Sequence, residues 1–347
     1  MKNAPFIHTE KTYRTIVTDI LIALSPVLVW SVFVFGARVL TIAALTVGCC
    51  IIFEFSSRYL LQKRSFTSAL KHSTDLSSVI TGLLITFMLP VTIPLYLTVF
   101  AAFFAVVLAK QVFGGLGKNI FNPAVLSVAL INILLPSLTS VFSRPFAYFG
   151  HFSAELNSRI VDSYRVLSPL QMLGRGHVYE EGVSDLFFGN SSGNMGEIAI
   201  LMLLLGAIYL TYRRVIDIKG TLSFAITVFL LAFLFPKGDG ETIYFVLTEL
   251  MAGGVVLLAI FACNDYSTVP SHSKGRIIFG VGCGILTIVI RYSFSHFEGA
   301  YIAVLTMNLL TPIINRLTRK VPYGMIRPKE PIALKGLQKA RFRHKKQ

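Results

Sequence analysis

The chain has 347 residues, of which 54% are apolar and 14% charged, and its mean hydropathy is +0.68. That balance excludes an ordinary water-soluble domain and points to a protein that meets lipid over much of its surface. The net charge of +15 does not argue for nucleic-acid binding: much of it sits in a C-terminal tail without aromatic interleaving and in short loops, the arginines of 143–195 are mixed with Glu155, Asp162, Glu180, Glu181 and Asp185, and beside a membrane such charges set topology and touch anionic lipid.

Ten apolar runs approach the roughly 20 residues that cross a bilayer: 15–36, 38–61, 76–93, 94–112, 120–142, 196–212, 218–236, 242–263, 275–292 and 297–315. They predict an all-α, polytopic membrane protein of about ten transmembrane helices, forming one membrane domain over residues 1–347. The first run lacks a small-residue cleavage site and reads as a span, not a cleaved signal peptide. Positive charge alternates between the loops, as expected where cytoplasmic loops retain Lys and Arg. Lys2, Lys11 and Arg14 precede the first run. Arg58, Lys63, Arg64 and Lys71 follow the second, Lys110 and Lys118 the fourth, Arg213, Arg214 and Lys219 the sixth, and Lys274 and Arg276 the eighth. This places both termini and the basic tail 316–347 in the cytoplasm and the long interval 143–195 outside.

Along the chain, Glu54 is expected to pair with Arg58 one helical turn later, and Asp75 to cap the third helix. The third run contains Thr81-Gly82 and ends at Pro90, which suggests an interrupted span. Lys110 to Ala124 then concentrates Gly114, Gly115, Gly117, Asn119, Asn122 and Pro123 between apolar segments. Irregular backbone at membrane depth survives only inside protein or along a cavity. Glycines admit close backbone approach, asparagines offer donors and acceptors, and Pro123 suits a first helical position. The stretch therefore reads as a pocket, with tight-turn packing as the alternative.

In the second half, Gly253-Gly254 and Asn264-Asp265 mark another interruption. Asp265 is the leading candidate for an ion path among Glu54, Asp75, Glu249 and Asp265, because a carboxylate at membrane depth needs a partner or a function. Phe121, Ala124, Val128, Asn132 and Pro136 recur as Phe297, Ala300, Val304, Asn308 and Pro312. With five spans per half, this predicts two inverted repeats, 1–142 and 196–315, around interrupted helices. Cys49, Cys50, Cys263 and Cys283 have no metal-ligand spacing, and the scattered histidines argue no zinc site.

Several stretches together resemble the family of RnfD, from the Rnf electron-transport complex, and NqrB, from the sodium-pumping quinone reductase. They are Asp75 to Gly82, Lys110 to Ala124, Gly193 to Glu197, Lys274 to Gly280, Ala303 to Asn308 and Tyr323-Gly324; the short chain is nearer to RnfD. The resemblance implies a membrane subunit of a ferredoxin- or NADH-linked complex that passes electrons through flavins and is coupled to sodium or proton translocation. It implies partner subunits, a flavin transferase, an FMN joined through its phosphate to an external Thr, and a riboflavin among the helices. Ser168, in Asp162 to Leu170, falls where that Thr belongs. Its hydroxyl permits the same phosphoester, but Arg165, Val166 and Leu167 replace the family's small residues, and Ser168-Pro169 equally suits an ordinary N-cap. Gly115, Asn119, Phe121 and Asn122 are the candidates to hold the membrane flavin. After the eighth span this chain has Ala262-Cys263-Asn264-Asp265-Tyr266, keeping the family's acid and losing its proline. A solute channel or carrier, and a scaffold lacking the covalent flavin, are the alternative functions.

Overall fold

The computed structural model describes residues 12–60, 65–66, 76–115, 117–147, 165–175, 182–237, 241–294 and 298–319. The first half contains α1 (Tyr13–Phe35), α2 (Arg38–Leu60), α3 (Ser77–Phe87) and α4 (Leu95–Phe103). The last continues directly into a π-helical stretch, Phe104–Gln111, before α5 (Pro123–Leu134) and the single turn α6 (Pro136–Thr139). A connecting region holds β1 (Phe142–Ser143), β2 (Arg165–Val166), α7 (Pro169–Gly174) and α8 (Val183–Phe188); Phe142 pairs with Val166 and Ser143 with Arg165, antiparallel. The second half contains α9 (Ile200–Tyr212), α10 (Ile218–Leu234), α11 (Thr242–Met251), α12 (Val255–Ile260), α13 (Ser273–Ser293) and α14 (Gly299–Thr318).

Helices α1, α2, α13 and α14 are each long and apolar enough to span a bilayer, while Thr242–Met251 and Val255–Asn264 reach that length only together and meet at a 58° bend. Shorter apolar helices occupy the other predicted runs. The protein is thus polytopic and all-α. Two runs are shortened for visible reasons. Pro90 and Pro94 hold the chain out of helix after α3, and Leu135 adopts φ −135°, ψ 56° before Pro136 restarts the helix.

Local chemistry repairs the defect in α1. Pro26 inside α1 cannot donate to the carbonyl of Ile22; the neighbouring Ser25 hydroxyl donates to it instead at 2.8 Å. Ile22, Val29 and Phe33 form the exposed apolar face of α1, while Leu24, Val27 and Val34 are buried. α1 packs on α9, where buried Asp19 accepts hydrogen bonds from Tyr209 at 2.9 Å and Arg213 at 3.2 Å. α10, α13 and α14 pack in succession, and α5 meets α14.

α2 and α3 pack closely at Gly82, where a Cβ would lie 2.7 Å from the Val47 Cα. Gly82→Leu should push the helices apart and lower unfolding free energy by about 1–3 kcal/mol. Thermal unfolding in detergent checks this; an unchanged midpoint would mean that the interface has slack.

Both interruptions have their orphan carbonyls capped from elsewhere in the fold. After α3, the Gly196 N–H donates to the Phe87 carbonyl at 2.9 Å, and the Met195 N–H to that of Leu89 at 3.0 Å. At the other break, Gly253 adopts φ +69°. There Arg291 of α13 donates through Nη1 to the Glu249 carbonyl at 2.6 Å and through Nη2 to the Ala252 carbonyl at 2.9 Å. The same guanidinium pairs with the side chains of Glu249 and Glu298, both at 2.8 Å.

Candidate functional site

Two cavities lie at opposite ends of α5 and α12. The proximal cavity, about 330 Å³, is lined by Tyr13 at the start of α1, by Asn122 and Ala124 at the start of α5, and by Ile260 at the end of α12. The distal cavity, about 410 Å³, is lined by Asn132 near the end of α5 and by Ala252 and Gly253 just before α12. At 1.5 Å rise per residue, Asn122 and Asn132 are about 15 Å apart along α5.

The glycine-rich turn builds one wall of the proximal cavity. Gly114, Gly115 and Gly117 have φ of +105°, +93° and +82°, a region other residues enter only under strain. The Gly115 N–H closes the turn on the Lys110 carbonyl at 2.9 Å. Asn119 donates to the Phe121 carbonyl at 3.1 Å. Asn122 caps α5 by accepting from the Ala124 and Val125 N–H groups at 3.1 and 3.2 Å, with Pro123 at the first helical position. That leaves its amide nitrogen to donate to Asp265 at 3.3 Å.

Asp265 follows a 3₁₀ turn, Ala262–Asn264, and also accepts from Ser267 at 3.4 Å and Thr268 at 3.0 Å. With its amide oriented to satisfy both atoms, Asn308 of α14 accepts from the Asn122 N–H at 3.1 Å and donates to the Thr268 carbonyl at 3.3 Å. Asn119, Asn122 and Asp265 thus converge on one cavity, together with Lys110. Gly115 and Phe121 shape the turn but do not line the cavity.

Ser168 lies in the wall of the distal cavity. It is the N-cap of α7: its hydroxyl accepts from the Gln171 N–H at 3.3 Å, and its own N–H donates to the Gln171 side chain at 3.2 Å, a capping box. Asp162, Ser163 and Tyr164, expected to precede it, lie outside the described residues. Arg175 contributes a cation to the same wall. At the base, buried Glu197 accepts from Asn194 at 2.8 Å and from the Tyr301 hydroxyl. Gly254 permits this approach, since a Cβ there would lie 2.8 Å from the Glu197 carboxylate.

Of the acidic residues singled out from sequence, Glu54 pairs with Arg58 at 2.7 Å as expected, and additionally with Lys110 at 2.7 Å. Glu249 is neutralised by Arg291. Asp75 lies outside the described residues, and Leu76, the residue before α3, makes no side-chain cap. Glu197, Tyr301 and Arg291 are functional-site neighbours that sequence reasoning misses. The available signal is a carboxylate or guanidinium inside an apolar run, 196–212 for Glu197 and 275–292 for Arg291. Among the described residues, no group of three His, Cys, Asp or Glu side chains is placed to hold a metal, and the four cysteines are free thiols.

Residues 1–324 match the NQR2, RnfD, RnfE family. The chain is 31% identical over 333 residues to the D subunit of the Na(+)-translocating ferredoxin:NAD(+) oxidoreductase complex of Acetobacterium woodii, covering 95% of this chain and 96% of that protein. It is 30% identical over 337 residues to the D subunit of the proton-translocating ferredoxin:NAD(+) oxidoreductase complex of Clostridium ljungdahlii, covering 93% and 96%. It is also 30% identical over 345 residues to the D subunit of an ion-translocating oxidoreductase complex of Stutzerimonas stutzeri, covering 89% and 91%. A match this long, over helices and cavities alike, leaves one assignment: the chain belongs to the NQR2, RnfD, RnfE family.

Proposed function

We infer that the chain is the D-type membrane subunit of an ion-translocating ferredoxin:NAD(+) oxidoreductase complex, holding a flavin in each of its two cavities. The observation that carries this is their placement: candidates named on separate grounds, Ser168 in one and Asn119, Asn122 and Asp265 in the other, line two cavities at opposite ends of the same helices. Both volumes fall within the roughly 300–1,000 Å³ typical of small-molecule sites. The near-complete coverage of D-type relatives favours this reading over a solute carrier.

The donor sets fit the two groups differently. Ser168 offers a hydroxyl oxygen at the distal wall, held by a cap that uses its lone pair and leaves the O–H free of that role; FMN would join there through its phosphate, with the Arg175 cation in the same wall. The proximal cavity offers amides, a carboxylate and an ammonium among apolar side chains, a set suited to a riboflavin ring with both donors and acceptors. Bound flavins would supply the electron-transfer chemistry; the chain binds and orients them and excludes water. Other subunits of the complex complete the reaction, and a flavin transferase would attach the FMN.

The charge pattern supports a cytoplasmic proximal cavity, both termini inside, lipid contact by the basic flanks, and an external 143–195 region in a bacterial cytoplasmic membrane. The two interruptions, each capped from outside its own helix, support inverted repeats over 1–142 and 196–315. Asp265, half-buried beside Asn122, is our candidate for the ion path.

The covalent site is tested by in-gel flavin fluorescence after co-expression with the native transferase. Fluorescence should be present in wild type, fall to background in Ser168→Ala, and return in Ser168→Thr. Loss of the cap costs about 1 kcal/mol, so the Ala variant should remain folded. Fluorescence persisting in Ser168→Ala would remove Ser168 as the anchor. A dark wild type would favour a scaffold without the covalent flavin.

A further inference from the structure

The π-helical stretch Phe104–Gln111 is long for a form that usually occurs as a single turn, often at functional sites. At its end Ala109, Lys110 and Gln111 are all buried. Lys110, 3% exposed, lines the proximal cavity and donates to Glu54 at 2.7 Å and to Ser77 at 2.9 Å. The Glu54 carboxylate is shared: it also accepts from Arg58 at 2.7 Å, from Gln111 at 3.4 Å and from Ser78.

Two cations therefore share one buried carboxylate. A purely structural pairing would need only one cation, and burying another charge is costly. Across the same cavity, Asp265 is held by the neutral donors Asn122, Ser267 and Thr268. The cavity is thus polarised, with a positive wall at Lys110 and an acidic wall at Asp265.

We propose that Lys110, held in place by Glu54, is a positioning residue that directs the electron-accepting carbonyl edge of a redox-active heterocycle toward itself and stabilises the negative charge gained on reduction. The inference rests on the reading of this cavity as a flavin site. Lys110 would keep all its protons and face the single negative charge that a bound ring would gain on accepting one electron from a reductant such as dithionite. A nearby cation favours the reduced form and raises the midpoint potential, whereas removing the Glu54 charge strengthens the same effect.

The test uses the full chain in detergent, loaded with riboflavin and titrated with dithionite. Lys110→Met should cut the ratio of reduced to oxidised flavin at fixed potential by about tenfold, equivalent to about 59 mV for a one-electron couple. Lys110→Arg should restore it, and Glu54→Gln should shift it in the opposite direction. Should Lys110→Met fail to fold, Glu54→Gln carries the test, because it retains the ammonium at the cavity wall. Bound riboflavin with unshifted midpoints would overturn the role of Lys110 and leave the flavin site standing. Wild-type protein that takes up no riboflavin on gel filtration would overturn both.

Discussion

Arg291→Met is expected to destabilise the protein by about 3–5 kcal/mol, the range for breaking a buried ion pair by removing one partner. Arg291 is 5% exposed and its guanidinium makes four hydrogen bonds, to the carbonyls of Glu249 and Ala252 and to the carboxylates of Glu249 and Glu298. Its removal leaves two carboxylates near a third, Glu197, without a counter-ion, and frees two carbonyls at the break between α11 and α12. Each unsatisfied buried group costs about 1–3 kcal/mol by itself. Lysine is a poor substitute, since one compact ammonium lacks the planar fork that reaches all four acceptors. Thermal unfolding in detergent should show Arg291→Met far below wild type, Arg291→Lys between them, and partial recovery in Arg291→Met/Glu249→Gln. Equal midpoints for wild type and Arg291→Met would show that the interruption does not depend on this cation.

Asn122→Leu should be the more informative change at the proximal cavity. It removes the α5 cap, at about 0.5–2 kcal/mol, and deprives half-buried Asp265 of one donor, at about 1–3 kcal/mol. Because one side chain performs both tasks, the combined loss is expected to reach about 2–4 kcal/mol. Riboflavin retention should fall with it. Asn122→Ser separates the contributions: it keeps an oxygen for the cap but lacks the N–H directed at Asp265, so stability should largely recover while retention stays low. Asn122→Asp preserves the cap oxygen and sets a second carboxylate beside Asp265, and it should be less stable than the Ser variant. Full retention of riboflavin in Asn122→Leu would separate this asparagine from the ligand.

Much of the fold is legible residue by residue. The ten apolar runs coincide with helices because hydrocarbon demands apolar side chains and helical backbone in the same stretch. Gly253 and Pro90 announce the interruptions, since positive φ and a missing N–H are properties of the residue itself. Ser168-Pro169 announces a cap, and the structure contains one. Asn122, a pocket residue on sequence grounds, does line a cavity, although nothing in its neighbourhood along the chain points to Asp265. Lys110 reads in sequence as a charge marking the cytoplasmic side; the structure instead buries it at the end of a π-helical stretch against Glu54, and periodicity based on 3.6 residues per turn does not detect that winding.

The membrane class, the order of the apolar helices, the breaks and the local caps are written in the chain, because hydropathy and backbone satisfaction act over a few neighbouring residues. Which charges meet is a matter of tertiary packing. Lys110 reaches Glu54 across 56 residues, Arg291 reaches Glu249 across 42, Tyr301 reaches Glu197 across 104, and Asn122 reaches Asp265 across 143. A buried charge must find a partner, yet the energy that makes pairing necessary does not specify the partner's place in the chain; that is fixed by the packing of helices distant in sequence.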